Sequence, residues 1–121
     1  MKTMSSSELI TKFIEYSEIE AKTKLNGDYK LGNKYSKKLY KIFIILKKDN
    51  NLARNVLKEL LKTNSIRARS IAAIDALRLN IYVDEALKVL NEVANMKEIG
   101  ILSFGPSVAL KIWKEKGYLD S

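Results

Sequence analysis

With neither cysteine nor histidine among its 121 residues, the chain can form no disulfide and no thiolate zinc site, and it lacks the commonest general base and neutral metal ligand. Its composition, 46% hydrophobic and 30% charged, is that of one ordinary globular domain spanning residues 1–121. No stretch approaches the roughly 18 uninterrupted apolar residues of a membrane span, and the first residues carry no apolar core of signal-peptide length, so a cytoplasmic protein with no membrane partner is expected.

Ser5 and Glu8 have the spacing of a capping box, which predicts a first helix running to about Lys24. Leu9, Ile10, Phe13, Ile14 and Ser17 form its inner face. Glu15, Glu18 and Glu20 also lie on this helix. The i, i+4 spacing of Glu18 and Lys22 reads as an exposed ion pair rather than as part of a carboxylate site. Asn26-Gly27 then stops the helix, since glycine readily takes the left-handed conformation that follows a helix end. Asp28 is expected to cap a second helix reaching about Lys48. Leu31, Tyr35, Leu39, Ile42, Phe43 and Leu46 fall on one side of it, and Lys30, Lys34, Lys37, Lys38, Lys41 and Lys48 on the other. Ile44 and Ile45 interrupt the pattern and call for cover on more than one side.

After the polar joint Asp49-Asn50-Asn51 comes Ala53–Leu77, the stretch around which the chain is organised. Ala53, Val56, Leu57, Leu60 and Leu61 make one apolar stripe; Ile66, Ser70, Ala73, Ile74 and Leu77 make another. Between them lies the short polar break Thr63-Asn64-Ser65, the pattern of an antiparallel helical hairpin. Asp75 sits among alanines three residues before Arg78, which predicts a structural ion pair in preference to a catalytic acid. Asp84 is expected to cap a fifth helix carrying Ala86, Leu87, Val89, Leu90, Val93 and Met96. Beyond Gly100, a last helix at about Ser103–Lys116 should turn Val108, Ala109, Ile112 and Trp113 inward, with Pro106 in its first turn and Gly117 as its stop. A shift of 36 residues lays Ala53, Leu57 and Leu60 on Val89, Val93 and Met96, and Ala72, Ala73, Ala76 and Leu77 on Val108, Ala109, Ile112 and Trp113. Such a repeat means stacked helix pairs sharing one core. The expected fold is all-α: a short right-handed stack of about three antiparallel hairpins, six helices in all.

Three stretches carry resemblances. Gly27-Asp28-Tyr29 through Leu39 is similar to the second helix of tetratricopeptide-type hairpins. Asn64-Ser65-Ile66-Arg67-Ala68-Arg69-Ser70-Ile71-Ala72-Ala73 resembles the second helix of a HEAT-type repeat, and the stretch from Leu102 to Lys114 follows it with Ser103 in place of the arginine. Taken whole, the chain resembles the bacterial domain of unknown function 2019 family. The cues are Asn26-Gly27-Asp28-Tyr29 before a lysine-rich helix, the central Ser-x-Arg-x-x-Ala-type helix, and the closing Ala109-Leu110-Lys111-Ile112-Trp113-Lys114. That family brings no enzymatic motif. Small helical proteins of this type occur as immunity partners of bacterial toxins, including contact-dependent growth inhibition toxins, so the resemblance implies such a role.

The residues themselves offer no phosphate-cradling glycine loop, and Ser5–Ser7 has no histidine partner, so the chain reads as a non-enzyme without cofactor or metal. Two binding readings follow. In the first, the chain binds and neutralises a cognate bacterial toxin domain, a nuclease being one candidate, through its less basic parts. Those are Glu8 and Glu15 on the first helix and Asp84, Glu85, Glu92 and Glu98 around the fifth, with Tyr82 or Tyr118 as an aromatic anchor. In the second, nucleic-acid phosphates meet Lys30, Lys34, Lys37, Lys38 and Lys41, with Tyr29 or Tyr40 at hand for stacking. The net charge of +8 is concentrated accordingly. From Lys22 to Lys58 eleven basic residues face only Asp28 and Asp49, a local +9. A lysine stripe of this kind also serves simply as a solvated face.

Overall fold

The junctions between the first four helices are written in short polar side chains, and the computed structural model, which describes residues 4–120, turns at each of them. Helix α1 spans Ser6–Asn26. The Ser5 hydroxyl accepts from the Glu8 N–H at 3.2 Å while the Glu8 carboxylate accepts from the Ser5 N–H at 3.4 Å, the reciprocal pair the spacing predicts. Gly27, at φ 77°, ends α1 and donates its N–H to the Thr23 carbonyl. Helix α2 (Tyr29–Lys48) opens on Asp28, and α3 (Asn50–Leu60) on Asp49; each carboxylate accepts a backbone N–H from the first turn it caps. Ser65 does the same for α4 (Ile66–Leu79), accepting from Ala68 N–H at 3.2 Å. Helix α5 (Val83–Ala94), a 3₁₀ segment broken at Gly100 (Lys97–Ser103) and α6 (Phe104–Lys116) complete the chain.

The fold is therefore all-α, six α-helices with no strand among the described residues. Helix α1 lies along α2. Helix α4 occupies the centre, touching α1, α3, α5 and α6, and its most extensive contact is with α5 rather than with its hairpin partner α3. Its small side chains explain that position: Ala68, Ala72, Ala73 and Ala76 are all fully buried, so neighbouring helices close in on several sides. Leu9, Phe13, Leu57, Leu60 and Leu90 fill the space between helices, none with any exposed surface. Each such side chain contributes about 1.5–3 kcal/mol of burial. Near the α1–α2 turn the helices come closer than a side chain allows. A Cβ on Gly32 would meet the Thr23 hydroxyl oxygen at 2.8 Å.

Two expectations are corrected here. Asp84 does not cap α5. Asn80 and Tyr82 both take left-handed backbone (φ 57° and 49°), and this tight turn makes Tyr82 the cap residue, without a side-chain bond. Asp84 falls inside the first turn beside Glu85, where negative charge still favours the helix N-terminus. Val108 does not point inward but is 37% exposed, because α6 is the last helix of the stack and leans mainly on α5.

Candidate functional site

Helices α2 and α6 stand on either side of α4 without closing over it, and the space left is a furrow. It is made of three depressions of about 180, 240 and 290 Å³ that run into one another. Glu20 and Ser36 border the first two; Ile74 and Arg78 border the last two. The floor is one face of α4, bearing Arg67, Ile71, Ile74, Asp75 and Arg78 at helical spacing. Tyr29, Ser36 and Tyr40 of α2 form one wall. Val108 and Ile112 of α6, with Tyr118 beyond it, form the other. Three tyrosines thus stand along the furrow with most of their surface free: Tyr29 is 81% exposed, and Tyr40 and Tyr118 are about half exposed.

Beneath these rings the charges are fixed. The Arg67 guanidinium donates from Nε at 2.7 Å and from Nη2 at 2.9 Å to the two oxygens of Glu20, a bidentate pair in which both side chains are almost wholly buried. Next to it the Glu18 carboxylate accepts from the Ser65 hydroxyl. The exposed Glu18–Lys22 pair expected from spacing is thereby replaced. Glu18 turns to the cap of α4, and Glu20 becomes the charge that ties α1 to α4. Glu20 could have been found by its register, since it continues the stripe Leu9, Phe13, Ser17 that α1 buries.

Asp75 and Arg78 do form an ion pair, at 3.7 Å, as their spacing predicts. Arg78 also lies over the Phe43 ring, 5.7 Å from its centroid. Burial pushes the Asp75 carboxyl up to about 7, well above the ordinary carboxylate range, against the opposing pull of Arg78. A carboxyl in that state can hold or release a proton near neutral pH. Glu20, in the same depression, is occupied by Arg67.

On the opposite side of α4, a second cleft of about 470 Å³ opens between α3 and α5. It gathers three of the residues singled out from sequence, Tyr82, Glu85 and Glu92, but not as an acidic surface. Lys58, Lys62 and Lys88 surround them, and Glu92 is joined to Arg69 at 3.1 Å. The other predicted partner residues are scattered. Glu8 is engaged in its capping box, Glu15, Asp84 and Glu98 are exposed and border neither depression, and Tyr118 lies on the furrow. The α2 lysines, in contrast, stay together. Lys30, Lys34, Lys37 and Lys41 are exposed on the side away from the core, and Lys38 rests over Tyr16 and Tyr35 at 5.3 and 5.8 Å.

Among the described residues no group of three or more acidic side chains could hold a metal ion, and no helix is long and apolar enough to cross a membrane. Compared with family models, curated proteins and solved structures, the chain shows no match.

Proposed function

We propose that this chain is a non-enzymatic protein-binding module and that the α2–α4–α6 furrow receives its partner. The observation that carries the reading is the row of exposed tyrosines over a floor of fixed ion pairs. Tyrosine and arginine dominate binding energetics at protein interfaces, because each offers a large contact area with a polar end. A floor whose charges are already paired costs little to order when a partner arrives. The finer assignment is an immunity protein that acts in the bacterial cytoplasm by covering a cognate toxin domain, of the kind used in contact-dependent growth inhibition. It draws its support from the sequence resemblance.

The test is co-expression and titration with the toxin domain encoded immediately upstream in the native genome. The full chain should rescue growth and bind one to one. Tyr40→Ala and Tyr118→Ala should each weaken binding by about 1–2 kcal/mol or more. Equal binding by wild type and the double variant removes the furrow from the reading, and failure to rescue removes the toxin.

A specific observation favours a second reading, nucleic-acid binding by α2. Lys30, Lys37 and Lys41 pair with no carboxylate among the described residues, and Tyr29 and Tyr40 flank their stripe. Affinity for DNA or RNA would then fall steeply with salt. An anisotropy titration at low salt showing no binding to either sinks it.

A further inference from the structure

The α3–α5 cleft lies across α4 from the furrow, and its make-up differs. Leu61 and Val89 give it an apolar base, and Tyr82 gives it one side. Lys58, Lys62 and Lys88 stand around that base, and none of the three forms an ion pair among the described residues. Arg69 and Glu92 cancel each other, so Glu85 alone opposes three free ammonium groups. The opening therefore has an apolar bed, a cationic edge and the volume of a small-molecule site, about 300–1,000 Å³ in general.

Tyr82 adds an independent sign. A bulky side chain at positive φ is a genuine outlier, which a glycine at the same place would relieve. Here the strained tyrosine is pinned instead: its hydroxyl donates to the Arg54 carbonyl at 3.3 Å and the Arg54 guanidinium lies 6.0 Å from its ring centroid. That arrangement fixes an aromatic face against the cleft. Beside it the Arg69 Nε–H is buried without an acceptor, although the rest of that guanidinium is bonded to Thr63 and Glu92.

We propose that the α3–α5 cleft is a binding site for a small organic anion, one with a carboxylate or phosphate head and a flat apolar body. The head meets Lys58, Lys62 and Lys88, and the body lies on Leu61 and Val89 against the Tyr82 ring. The site is separate from the furrow and needs no protein partner to be occupied.

The experiment titrates the full chain with 8-anilinonaphthalene-1-sulfonate, whose sulfonate and fused rings copy both halves of such a ligand. It then displaces the dye with phenyl phosphate or benzoate. One dye should bind per chain, and at least one of the two competitors should release it. Replacing all three cleft lysines (Lys58→Gln, Lys62→Gln, Lys88→Gln) should weaken dye binding about tenfold or more, the effect of roughly 1.4 kcal/mol. Removing equal charge from α2 (Lys30→Gln, Lys34→Gln, Lys37→Gln) should leave it within about twofold. The proposal is overturned if both triple variants weaken binding alike, if uncharged N-phenyl-1-naphthylamine binds as well as the sulfonate, or if neither competitor displaces the dye. All six lysines are exposed, so both variants should keep the helical circular dichroism of the parent.

Discussion

Helices α4 and α6 hold equivalent places in the 36-residue repeat, yet the protein treats them in opposite ways. Helix α4 buries Ala68, Ser70, Ala72, Ala73, Asp75, Ala76 and Leu77; α6 buries only Pro106 and Ala109. Position by position, Ala72 answers to Val108, Asp75 to Lys111 and Arg67 to Ser103. The central helix is small and locked because it has neighbours on several sides. Helix α6 is bulky and half exposed because, among the described residues, it covers the end of the core and packs mainly on α5 and the 3₁₀ segment. A repeat visible in sequence thus sets where a helix goes, while its place in the stack sets how much variation it tolerates.

The sharpest break should come at Arg67 against Ser103. Arg67→Ala takes the bidentate guanidinium from buried Glu20, leaving only the half-exposed Lys24 ammonium at 3.8 Å, and should cost about 3 kcal/mol or more of unfolding free energy. Ser103→Ala removes only a local bond to the Gly100 carbonyl and should cost less than about 1 kcal/mol. Urea unfolding of the two variants measures the gap, and similar losses would mean that α4 is not clamped as described.

Asp75 against Lys111 gives the next effect, and its sign depends on pH. The native carboxyl, raised to about 7, holds a proton that the unfolded chain has already released above about pH 4. Its contribution to stability is therefore complete below that pH and is lost as pH rises to about 7. Asp75→Asn should flatten this stretch of the stability profile, changing its standing relative to wild type by about 2 kcal/mol or more between pH 4 and pH 8. Lys111→Gln, on an exposed position, should leave the profile unchanged. Chemical denaturation across that range decides it, and parallel profiles for wild type and Asp75→Asn would exclude Asp75 as the titrating group.

Ala73 and Ala109 test packing alone. Ala73→Leu forces three extra carbons into a site with no free surface and should cost about 1–3 kcal/mol, while Ala109→Leu, 6% exposed on the end helix, should cost about half as much or less. Smallest of all, Phe104→Ser, at a residue 69% exposed, should shift stability by no more than about 0.5 kcal/mol. A larger loss there would show that the end of the stack is covered in solution.

Local patterns were legible from sequence where the physics is local. The Ser5–Glu8 box, the Gly27 stop, the Asp28 cap and the Asp75–Arg78 pair all depend on residues within four positions of one another, and all four are present. The candidate sites were less legible, because they are made by distant residues. Glu20 and Arg67 lie 47 positions apart, and only the odd presence of a carboxylate in an apolar stripe hinted at the pair. The acidic residues of α5 looked like one surface because Lys58 of α3 and Lys62 just beyond it, which the fold brings across, are silent in a projection of α5 alone. Tyr82 gave no sign of its backbone geometry, since nothing in its type favours a left-handed turn.

The Glu20–Arg67 clamp also sets the smallest piece of this protein that is worth making. A fragment ending before residue 67 would leave the Glu20 carboxylate on the face that α1 buries with only the half-exposed Lys24 beside it, in place of the bidentate guanidinium. Shortened versions should therefore run at least through α4, and dissection from the far end, removing α6 first, is the direction the molecule will bear.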